Sequence, residues 1–167
     1  AGLQLILADV SDAARADPTA WRLAGMQATR SGTYEFEALS PSRFSRLGDV
    51  NVYYEEPHFH GGQWRYLALH AGAVAAIAQE VAVHLRQLPR DATDAELMRL
   101  AHIVSLGKTC FLWAKTLAQD TEVAGKAMAG TQAILGREQV EQACIQAMAL
   151  AERTVGTRAF TSGTRLE

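Results

Sequence analysis

Trp64, Leu67, Ala71, Val74, Ala78, Val81 and Leu85 follow one another at intervals of three or four residues, without interruption. That spacing is the α-helical period, and it predicts one long helix with a continuous apolar stripe. Ala68, Ala75 and Ala82 widen the stripe with small side chains, so a neighbouring helix can come close. Pro89, which has no amide hydrogen, marks its end. A striped helix takes most of its stability from packing that face, so partner helices are required.

The sequence beyond Pro89 supplies them. Thr93 and Glu96 form a capping-box signature ahead of a second apolar run carried by Leu97, Leu100, Val104, Phe111 and Ala118. A third helical region is expected from about Thr121 to Thr154. Gly125, Gly130 and Gly136 lie inside it, with a break expected near Gly136. Val140, Cys144, Ala147, Ala151 and Val155 give its later part a face, and Gly156 stands where a helix C-terminal glycine belongs. Short connections between such helices make them antiparallel neighbours.

The first sixty residues have a different period. Leu3, Leu5 and Leu7 alternate with Gln4, Ile6 and Ala8, which reads as a strand buried on both faces. "DVSDAARADPTA" reads as a polar loop. From Thr33 to Leu39 a second strand is expected, with Tyr34, Phe36 and Ala38 on one face and Thr33, Glu35 and Glu37 on the other. Pro41 and the polar stretch to Asn51 end it. The fold expected is α+β and mainly α: a short β-strand remnant over residues 1–60, followed by an antiparallel up-and-down helical bundle over 61–167.

Composition removes several functions. A net charge of -2 leaves no basic footprint for nucleic acid. No unbroken apolar run reaches the roughly 20 residues of a membrane span, so none is expected. The N-terminus shows no basic and then apolar leader. Cys110 and Cys144, the two cysteines, are expected as buried thiols of a cytoplasmic protein. His58 and His60 would face one way on an extended segment, but no third ligand with suitable spacing follows, so no metal site is expected. Glu55 and Glu56 read as solvated charges, and His70, His84 and His102 as structural residues on helices. A phosphate loop, a nucleophile elbow and a cysteine-pair zinc motif are all missing. Arg65 stands in the first turn of the first long helix, the unfavourable end of the dipole for a cation, and is expected to have an anionic or carbonyl partner.

The order of segments resembles the acyl-CoA dehydrogenase family. "WRLAGMQATRSGTYEFEALSPSRF" carries Gly25-Met26, Ala28-Thr29, Ser31 and Tyr34-Glu35-Phe36-Glu37 in the pattern of that family's β-domain. "GGQWRYLALHAGAVAAIAQEVAVHL" is similar to the first long helix of the family's C-terminal bundle, with Arg65 and Gly72 at its recurrent arginine and glycine. "AERTVGTRAF" is similar to the segment leading into the flavin-facing loop, and "SGTRLE" to the start of the next element. The resemblance covers nearly the whole chain. It implies the end of a central β-domain plus most of a helical bundle, as a truncated product or a fragment.

What this resemblance implies for function is an FAD-dependent oxidoreductase of fatty acid metabolism. There a glutamate removes the α proton of an acyl-CoA or similar thioester and the flavin takes the β hydride. A flavin monooxygenase or oxidase on the same fold is a variant of that reading. An electron-accepting flavoprotein and a homodimer or homotetramer are the implied partners. Gln63, Trp64 and Arg65 take the substrate-side positions; Gly156, Thr157 and Arg90 take the cofactor-side positions. No residue matches the catalytic base: one family location lies past Glu167, and at the other this chain has Trp64. The chain alone is therefore expected to be inactive and to retain no FAD. The reading without the resemblance is a non-catalytic helical bundle serving as an oligomerisation or binding module.

Overall fold

The computed structural model describes residues 2–22, 29, 31–55, 59, 62–123 and 126–160. The protein is mainly helical and divides into two compact units, Ala1–Glu55 and Glu56–Glu167.

The first unit is held by strand pairing and polar cross-links rather than by a core. Strands β1 (Leu5–Ala8) and β4 (Phe44–Leu47) pair antiparallel, Leu5 opposite Leu47 and Ala8 opposite Phe44. Strands β2 (Ala16–Asp17) and β3 (Thr33–Tyr34) form a second antiparallel pair. The Gln4 side-chain amide donates to the carbonyls of Leu47 and Gly48, and the Leu3 amide donates to Asn51 Oδ1 at 2.8 Å. Arg15 Nη1 donates to the carbonyls of Glu35 and Glu37.

Two strand expectations need correction. Leu5, Ile6 and Leu7 are exposed rather than buried on both faces, because one partner strand covers no face of a strand. The second strand stops at Tyr34, and Ala38 turns the chain with φ 55°. The loop expected after Pro41 contains β4, whose pairing depends on β1, nearly forty residues away.

Among the described residues the second unit is built on three long antiparallel helices. Helix α1 is Gln63–Arg86, α2 is Asp94–Val123 and α3 is Lys126–Val155. On α1 the expected stripe is the core face: Leu67, Ala71, Val74, Val81 and Leu85 are buried, with Trp64 and Ala78 packed against them. By length and composition α1 is apolar enough to cross a membrane, which no unbroken apolar run had indicated. Helix α2 is capped as expected. The Thr93 amide donates to Glu96 Oε2 at 2.8 Å, and the Glu96 amide reaches back to Thr93 Oγ1 at 3.4 Å.

The face of α2 differs from expectation by about one residue. Glu96, Ile103, Cys110, Ala114 and Leu117 are buried, while Leu97, Val104 and Phe111 are exposed by 49%, 55% and 52%. Both rows have helical spacing, so periodicity alone could not choose between them.

Helix α3 runs through Gly136 unbroken. A Cβ there would stand 2.6 Å from Leu117 Cδ1 and 3.0 Å from Trp113 Cε3, so the glycine lets α2 and α3 close on each other. Val140, Ala147 and Ala151 are buried as expected, and Cys144 and Val155 pack against that core. Gly125, Gly25, Met26, Ala28, Glu56, His58, His60 and residues 161–167 lie outside the described residues.

Candidate functional site

The residues assigned from sequence occupy opposite ends of the helical unit. Gln63, Trp64 and Arg65 form the first turn of α1. Arg90 follows the last turn of α1, and Gly156 and Thr157 follow the last turn of α3. A helix of 24 residues separates the two groups by roughly 35 Å at 1.5 Å per residue.

At the first end, Arg65 is exposed and its guanidinium stacks on the Trp64 ring, 4.9 Å from the centroid. Among the described residues no carboxylate pairs with it; the expected anionic or carbonyl partner is not found there, and the contact the cation makes is with an aromatic face. Gln63 Oε1 is buried and accepts no hydrogen bond among the described residues. A buried acceptor without a donor is costly, and this atom is the one buried side-chain oxygen or nitrogen without a partner on the described part of the helical unit.

At the other end the groups are answered. Arg90 donates bidentately to Glu96, Nη1 to Oε2 at 2.9 Å and Nη2 to Oε1 at 2.8 Å. The Arg90 bond, the Thr93 amide and the Thr93 hydroxyl hold the Glu96 carboxyl far below the usual carboxylate range. The same pair raises Arg90. Gly156 has φ +71°, the left-handed conformation that ends a helix, and open space where a Cβ would lie.

A flavin pyrophosphate needs free donors, and Arg90 has committed both ends of its fork to Glu96. Of the three cofactor-side residues, Arg90 is thus already engaged by a carboxylate of its own chain. Among the described residues no group of three or more His, Cys, Asp and Glu side chains could hold a metal ion.

One feature escaped the sequence reading. Between α1 and α2 runs an open groove of about 680 Å³, floored by Ala68, Ala71, Gly72 and Ala75 and edged by Trp64 and Phe111. Lys108 and Lys115 stand two turns apart on its α2 side. The small residues on α1 were visible in sequence as a widened stripe, but the groove depends on which face α2 turns inward. The structure brings Trp64 to this groove and leaves Gln63 and Arg65 outside its lining.

No protein-family model, curated protein or solved structure matches the chain.

Proposed function

We propose that the chain is the end of the β-domain and the helical bundle of an acyl-CoA dehydrogenase-like flavoprotein, and that its helical unit is an assembly module. In this reading further copies cover the apolar surface that three helices leave open, giving a homodimer or homotetramer. The observation that carries it is the row Leu97, Val104 and Phe111, half-exposed along α2, whose Phe111 also edges the small-residue groove. Contiguous exposed apolar surface of this kind marks an association site. The order of segments, strands and then antiparallel helices, supports the flavoprotein part of the reading. FAD, when bound in the complete protein, supplies the hydride acceptor.

Within that frame Gln63, Trp64 and Arg65 are the residues offered to the acyl thioester. Arg65 would meet an anionic part of the ligand, and Gln63 Oε1 would accept a donor from it. Gly156 and Thr157 lie at the end that would face cofactor or partner, and association would bring the two ends together. No residue of this chain is assigned as the base.

The Arg90–Glu96 pair favours a second reading, a helical module without catalysis, because it closes the one arginine offered to a flavin phosphate. Sedimentation and visible absorbance separate the two when the chain is compared with the full product of its reading frame. Self-association with flavin uptake, and bleaching of that flavin by an acyl-CoA thioester, is expected of the complete flavoprotein. This chain alone is expected to self-associate without stoichiometric FAD. A strict monomer at high concentration overturns the assembly role in both readings.

A further inference from the structure

Cys110 and Cys144 meet across the α2–α3 interface. Cys110 is fully buried, and Cys144 packs against the same core with part of its surface open. Two contacts far apart set the antiparallel register of these helices. Arg99 Nε donates to Thr154 Oγ1 at 3.0 Å near one end, and Gly136 abuts Leu117 toward the other. Cys110 lies about two turns before Leu117, and Cys144 just over about two turns beyond Gly136. From the other contact, Cys110 lies about three turns after Arg99 and Cys144 about three turns before Thr154. Both counts put the cysteines opposite each other. Neither cysteine is in a disulfide.

We propose that Cys110 and Cys144 form an oxidisable dithiol, a site where a small disulfide such as oxidised glutathione converts two core thiols into an α2–α3 disulfide. Cys144 is the more accessible and reacts first. Its thiolate attacks one sulfur of the glutathione disulfide, the S–S bond breaks, and one glutathione leaves as a thiolate that takes up the proton Cys144 gave up. Cys110 then attacks Cys144 Sγ, expels the second glutathione and loses its own proton to it. Two protein thiols are oxidised and one disulfide is reduced to two thiols, so atoms and electrons balance.

Burial raises both thiols, Cys144 to about 11 with further contributions from Cys110 and Glu141. The thiols are therefore protonated at neutral pH and slow to react, so the pair answers a sustained oxidant rather than a brief one. Once formed, the bond restricts the unfolded chain between the two helices and should stabilise the fold.

The test uses the folded, reduced protein incubated with oxidised glutathione at mildly alkaline pH, quenched in acid and alkylated after unfolding. Intact mass should show loss of two hydrogens with no glutathione adduct and no alkylation, and a peptide map should link Cys110 to Cys144. The thermal midpoint should rise by several degrees and return on reduction. Cys110→Ser should stop at a glutathione adduct on Cys144. A persistent adduct in the wild-type protein, a disulfide-linked dimer, or no reaction while the urea-unfolded protein oxidises would each overturn the proposal.

Discussion

The Glu96 carboxylate accepts four hydrogen bonds, two from Arg90 and two from Thr93. These bonds favour the charged form, so the folded protein binds the Glu96 proton less readily than the unfolded chain. The resulting stability is fully present above the ordinary glutamate range near 4.5 and is lost as pH falls toward the depressed folded value. Glu96→Gln should flatten the acid limb of a stability curve measured by thermal unfolding between about pH 3 and 7. At neutral pH it should lower the midpoint by roughly 5 °C, the scale of a lost helix cap. An unchanged acid limb would show that Glu96 carries no linkage. Arg65 should behave in the opposite way. It is exposed and its guanidinium stacks on the neighbouring tryptophan, with no ion pair among the described residues, so Arg65→Ala should leave the midpoint within a few degrees. If the proposed acyl-thioester role holds, the same change should lower acyl-ligand binding; a large stability loss with normal binding would assign it a structural role instead.

At the scale of helices, two glycines make contrasting predictions. Gly136 is a contact point, and Gly136→Ala should push α2 from α3 and cost about 1–3 kcal/mol by urea unfolding. Gly72 lies in the groove of α1 with nothing within 4 Å of an added Cβ. Gly72→Ala should therefore stabilise the isolated helical unit by about 0.5–1 kcal/mol, because alanine is the better helix former. If the groove is an association surface, the same substitution should weaken association while strengthening the fold. Measuring both on one variant distinguishes a groove that is covered from one that stays open.

For the whole molecule, the surface left by three helices decides the outcome. Val104→Glu and Phe111→Glu place charge on the exposed row of α2 without touching the buried row of Ile103 and Cys110. Each should weaken self-association by about tenfold or more in sedimentation, while circular dichroism stays that of a folded helical protein. Association unchanged by both variants would move the interface to another face, such as the exposed Ile134, Ile145 and Met148 of α3.

Local rules were legible in the sequence. The 3–4 spacing from Trp64 to Leu85 determined a helix and its buried face, because one strong stripe leaves a helix one way to turn. Thr93 and Glu96 determined the start of α2, because a capping box closes within a single turn. Neither the inward face of α2 nor the role of Gly136 could be settled in that way. Helix α2 carries two adjacent apolar rows, and only packing against α1 and α3 selected Ile103, Cys110 and Leu117 over Leu97, Val104 and Phe111. Gly136 has the same local preference whether it breaks a helix or lets one approach, and Leu117 and Trp113 supply the difference. The pairing of β1 with β4, the Arg90–Glu96 fork and the meeting of Cys110 with Cys144 likewise join residues whose local patterns do not mention each other. Sequence determined the elements and their caps through interactions within a few residues; tertiary structure decided faces, partners and the groove, because those follow from contacts between distant segments that no periodicity encodes.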